Sequence, residues 1–107
     1  MAKLLVRGKG KFLEGKLIEE GASGVSLTER LTPTETIVEA SSLLHFGTEN
    51  MQFRIYNPSD WHYTYKEILE KANEAGADYV LVTEPQRKVF NSNARYETTL
   101  TMYLKKQ

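Results

Sequence analysis

The sequence predicts an α+β domain: a mostly antiparallel sheet carrying one or two helices on one face. Three observations carry this expectation. Stretches of alternating apolar and polar residues occur in both halves of the chain, and that is the period of a half-buried strand. One apolar stripe, Trp61, Tyr65, Ile68, Leu69 and Ala72, follows the helical period instead. The chain has 107 residues, 40% of them apolar and 26% charged, which suffices for one core without disulfides or a structural metal.

The elements follow in order. Leu4-Leu5-Val6 is a short apolar run, and Gly8-Lys9-Gly10 reads as a turn. From Lys11 to Glu19 the residues Leu13, Gly15 and Leu17 share one face, as in a strand. Gly21-Ala22-Ser23-Gly24 is a second turn and Val25-Ser26-Leu27-Thr28 alternates again. Residues 1–30 therefore read as a three-stranded meander.

Thr32-Pro33-Thr34-Glu35 has the chemistry of a helix start: a capping hydroxyl, a proline at the first helical position and a glutamate placed to reach back. Gly47 would end that helix, so residues 32–47 read as helical, with Ile37, Ala40 and Leu44 on one face. A strand competes with it, because Val38, Ala40, Leu44 and Phe46 also share a period-two face.

Met51 to Tyr56 alternates without a break and predicts a strand. Asn57-Pro58-Ser59-Asp60 then turns the chain into the striped helix, whose opposite side carries Lys66, Glu67, Glu70, Lys71 and Glu74. Ser59 is one cap, Thr64 with Glu67 is a rival capping box, and Gly76 ends the helix. Tyr79-Val80-Leu81-Val82 lacks a period and suits a strand covered on both faces. Residues 84–94 read as a polar loop. Arg95 to Leu104 forms the last strand, with Tyr96, Thr98, Leu100, Met102 and Leu104 on one side. Residues 51–104 thus make a βαββ unit within a single domain spanning 1–107, and part of the sheet's second face is expected to be open.

The stretch Ile68-Leu69-Glu70-Lys71-Ala72-Asn73-Glu74-Ala75-Gly76-Ala77-Asp78-Tyr79-Val80, followed by a hairpin, resembles the helix–GA(D/N)xV–strand unit of several small bacterial families. Among them are the putative heavy-metal-binding ring proteins, the flavin-storing dodecins and small periplasmic stress proteins. The resemblance covers residues 64–104 and implies a βαββ architecture and a tendency to oligomerise. It carries over no functional residue: the dodecin tryptophan that stacks on flavin follows the helix, whereas Trp61 begins it, and no secretory signal of the periplasmic families is seen here.

Composition narrows the function classes. Without cysteine the chain has no disulfides, thiol catalysis, iron–sulfur clusters or cysteine-based zinc sites. The start Met1-Ala2-Lys3-Leu4-Leu5-Val6-Arg7 lacks a signal's apolar core, and no stretch approaches the ~20 apolar residues of a membrane-spanning helix. A cytoplasmic location without membrane attachment is the expectation. Net charge is zero, but unevenly spread. Residues 1–16 carry Lys3, Arg7, Lys9, Lys11 and Lys16 against Glu14, while residues 17–50 carry six glutamates against Arg30. The termini are basic and the middle acidic, so a fold that brings the two ends together has a positive face.

Candidate sites are few. Asp60, Trp61, His62 and Tyr65 could form an aromatic ligand site at a helix entry, while Trp61 and Tyr65 read equally as core. Arg7, Lys9, Lys11, Arg87, Lys88 and Arg95 could meet nucleic acid or another anion, although a pI of 6.7 is low for such binders. Gly8-Lys9-Gly10-Lys11 lacks the full phosphate-loop pattern and reads as a hairpin turn. His45, at the end of the first helix, and His62 have no metal-ligand spacing, and no hydrolase, kinase or dinucleotide motif occurs. No catalytic residue, metal or cofactor is implied. The sequence reads as a non-enzymatic binding or assembly module that self-associates through its sheet and through tyrosines such as Tyr56, Tyr63 and Tyr103.

Overall fold

A computed structural model describes residues 1–8, 10–18, 28–53 and 61–106, except the side chains of residues 29, 53, 61–63 and 90. Seven strands form one sheet: β1 (Lys3–Gly8), β2 (Lys11–Leu17), β3 (Leu31–Val38), β4 (Leu43–Phe53), β5 (Tyr79–Val82), β6 (Gln86–Phe90) and β7 (Asn93–Lys105). The one α-helix among the described residues is α1 (Trp61–Glu74), between β4 and β5. The strand order is β3-β2-β1-β5-β7-β4, with β6 joining β7 beyond the end of β5. Among the described strands only β1 and β5 pair in parallel; the other ladders are antiparallel. The expected α+β class with a mostly antiparallel sheet therefore holds at that level.

The expected helix over 32–47 is instead β3, a 3-10 turn at Ala40–Ser42 and the start of β4. Two physical facts override the helix-start chemistry. Thr32, Thr34, Thr36, Ile37 and Val38 are β-branched and fit a pleated surface. Pro33 is tolerated because β3 is an edge strand, paired only with β2. The residues that mimic a capping motif form an irregularity: the β2–β3 register shifts between Leu13 and Gly15, and Thr36 N–H donates to Thr34 Oγ1 at 3.1 Å. Gly47 sits at a β-bulge opposite Met102, not at a helix end.

Two further expectations are corrected. Thr28 opens a 3-10 turn, Thr28–Arg30; the rest of the expected third strand, residues 25–27, lies outside the described residues. The polar loop over 84–94 is in fact β6 and a tight hairpin. Asn91 and Ser92 have φ of 44° and 74°, the pattern of a two-residue type I′ turn. The structure agrees with the sequence at the end of α1. Gly76 has φ +83°, its N–H donates to Asn73 O, and Ala77 N–H donates to Ala72 O, which is the Schellman pattern.

The helix-side face of the sheet buries Leu4, Met51, Val80, Val82, Leu100 and Met102 against Tyr65, Ile68 and Ala72 of α1. The opposite face does not lie open over the body. It buries Leu5, Val38, Leu43 and Tyr79, with Phe12, Leu81 and Tyr103 packed against them. Curling of the sheet explains this. β3 and β4 lie at opposite edges, and six strands laid flat would put them ~24 Å apart. The five steps from Val38 to Leu43 reach at most ~18 Å. The edges must approach each other, and the face opposite α1 becomes concave. The rings of Phe12 and Tyr103 come within 6.1 Å although two strands separate theirs. Farther along, where β6, the start of β7 and the end of β4 run beyond β1 and β5, residues 86–89 are exposed.

Candidate functional site

Of the expected aromatic site, Tyr65 is 1% exposed and belongs to the helix-side core. Asp60 lies outside the described residues, as do the side chains of Trp61, His62 and Tyr63 and all of Tyr56. Tyr103 is half-buried in the concave cluster, so it is core rather than a free interface tyrosine. His45 lies on β4, not at a helix end: its ring is 5.6 Å from that of Tyr103 and its Nε2 is 3.1 Å from Thr48 Oγ1.

The expected basic residues divide between the two faces of the sheet. Arg7 and Lys11 flank the β1–β2 hairpin, with the Arg7 guanidinium 5.5 Å from the Phe12 ring centroid. Lys88 and Arg95 face each other on the β6–β7 hairpin, and Lys88 Nζ stands 3.4 Å from Glu97 Oε2. Arg87 pairs in register with Tyr96 and so lies on the other face of that hairpin. Lys9 lies outside the described residues.

The chain ends do meet, which is the condition under which the charge distribution gives a positive face. β1 lies beside β5, and β5 beside β7. Lys3, Lys105 and Lys106 surround a shallow cavity of about 500 Å³ with Asp78 and Tyr79. The Asp78 carboxylate accepts from Lys105 N–H at 2.8 Å, and Lys3 Nζ is 3.4 Å from Glu14. These three lysines were not among the residues singled out from sequence, although the basic termini were the signal for them.

The sheet also presents edges, where alternate backbone N–H and C=O groups point outward. The β3 edge contains Pro33 and Glu35. β6 has only five residues, with Arg87 and Lys88 among them. β4 differs from both. It has eleven residues, no proline and one charged side chain, Glu49, which pairs with Lys71 of α1 at 3.3 Å. Leu44 and Phe46 on it are 50% and 39% exposed. Phe46 is the extra residue of the bulge between His45 and Gly47. No helix among the described residues is long and apolar enough to cross a membrane. No protein-family model, curated protein or solved structure matches this chain.

Proposed function

We propose that this protein is a non-enzymatic assembly module whose copies join edge to edge through β4, in antiparallel pairing about a two-fold axis at Thr48. The observation that carries the reading is the contrast between the edges. Natural sheets guard exposed edges with proline, charge or shortness. β3 and β6 have such guards, while β4 is long, nearly uncharged along its free side, and carries exposed Leu44 and Phe46.

Register supports a second copy as the occupant. Pairing about Thr48 sets Glu49 opposite Gly47 of the other copy and Phe46 opposite Asn50, so no like charges face each other. The same operation on β6 would stack Lys88 on itself. Nucleic-acid binding, the alternative reading, has less support, because the basic residues divide between the two faces of the sheet and Lys88 is already paired.

Light scattering coupled to size exclusion tests this. The unmodified chain is expected to elute as a dimer. Thr48→Lys and Thr48→Glu each place like charges on the axis and are expected to give monomers, and mixing the two variants restores a dimer. A monomeric unmodified chain, or dimers unaffected by either variant, would overturn the reading.

A further inference from the structure

β1 and β5 are the one parallel pair among the described strands, and their ladder stops at Leu5 and Leu81. Beyond that point the strands part. β1 turns back into β2, while the chain after Val82 bulges before β6 begins. The register against β7 shows the bulge: Val82 faces Leu100, but Gln86 faces Glu97, so three residues on one strand oppose two on the other. Thr98 Oγ1 donates to Thr83 O, and Thr99 N–H donates to Thr83 Oγ1 at 2.9 Å, which hold the bulge in place.

The parting leaves a slot of about 400 Å³, within the size range of small-ligand pockets. Its walls are mostly apolar: Val6, Leu31, Pro33, Leu81 and Val82. Thr28, which also lines it, is tied to the bulge, because its N–H donates to Glu84 Oε2 at 2.7 Å. The slot lies at the carboxyl ends of β1 and β5. Arg7 lines this slot and also a neighbouring cavity of about 320 Å³ with Lys11 and Phe12. Arg7 is exposed and lines both cavities, and its guanidinium stands 5.5 Å from the centroid of the Phe12 ring, which lines the second.

We infer that this slot binds an aliphatic carboxylate, the tail between the parted strands and the head group on Arg7. An apolar wall suits the tail, and the guanidinium of a residue that lines both cavities selects a planar anion over an alcohol or a cation. Lys11 adds attraction without a fixed contact. The site does not depend on how copies of the chain assemble.

The test is titration with decanoate below its micelle concentration, followed by calorimetry and by methyl-resolved NMR. Saturable binding of one decanoate per chain is expected, with the largest shifts at the methyls of Val6, Leu31, Leu81 and Val82. Arg7→Gln is expected to weaken binding at least about tenfold, the worth of one charge-assisted hydrogen bond. Its thermal unfolding should match that of the unmodified chain, because Arg7 is exposed. Decyltrimethylammonium is expected to leave the same methyls unmoved. The proposal is overturned if decanoate does not shift those methyls, if Arg7→Gln binds equally well, or if the cation binds as tightly as the carboxylate.

Discussion

Strand β7 runs through two parts of the molecule that are held together differently. From Thr98 to Leu104 it crosses the body, with α1 on one side of the sheet and the concave cluster on the other. Thr98, Leu100 and Met102 there are 1%, 0% and 5% exposed. From Asn93 to Glu97 it forms an arm with β6 and the end of β4, and none of those five residues is fully buried. Across the arm's strands Lys88 pairs with Glu97, and Gln52 hydrogen-bonds Glu97 at 3.5 Å. The backbone ladder continues through both parts, with β4 paired along nearly the whole of β7. A ladder of hydrogen bonds exchanged with water contributes little net stability, whereas buried apolar area contributes ~25 cal/mol per Å². The body should therefore govern global stability. The arm's register should depend on its two-residue turn more than on burial.

The sharpest way to break this comparison is Leu100→Ala. Leu100 is fully buried in the helix-side core, so the deletion removes transfer energy and leaves a cavity; a loss of about 2–5 kcal/mol is expected in chemical denaturation. Val89→Ala in the arm, where Val89 is 61% exposed, should change stability by less than about 0.5 kcal/mol. Equal losses would mean that the arm is as integral as the body. The next effect in size is Gly15→Ala. An added Cβ would stand 3.0 Å from Val6 Cγ1 and 3.7 Å from Leu31 Cδ2, where β2 irregularly meets β3. Val6 is β-branched and cannot swing away freely, so a loss of about 1–3 kcal/mol is expected in the same assay. A neutral result would show that this side of the body yields as easily as the arm.

The two parts also differed in how far the sequence revealed them. β5, the inward set of β7 and the Gly76 helix end were all legible, because buried elements impose a period or a special backbone angle on their residues. β6 was not, since it is exposed on both faces over Gln86 to Val89 and so has no apolar alternation to read. β3 was misread for another reason. Thr32-Pro33-Thr34-Glu35 has local helix-start chemistry, and only the long-range pairing with β2 makes it an edge strand. The curl of the sheet was hidden too, because it depends on the short link from β3 to β4 across the whole strand order. That both ends are basic was legible, but the meeting of Lys3 with Lys105 and Lys106 follows from the β1–β5–β7 order, which charge does not reveal. The slot beside Arg7 was not legible, because it arises from a bulge that only the β5, β6 and β7 registers define.

The smallest expected effect concerns the arm's own contacts. Lys88 and Glu97 are 3.4 Å apart, with side chains 46% and 20% exposed. In high dielectric such a pair gains little Coulomb energy, and ordering two long side chains offsets part of it. A double-mutant cycle of Lys88→Ala and Glu97→Ala should therefore give a coupling of about 0.2–1 kcal/mol. Raising the salt concentration should reduce it, since exposed charges are screened over ~10 Å at 0.1 M and less at higher concentration. A larger coupling that ignored salt would require the pair to be shielded from water. The arm would then be covered in solution, and a second copy seated against the neighbouring β4 edge could supply that cover.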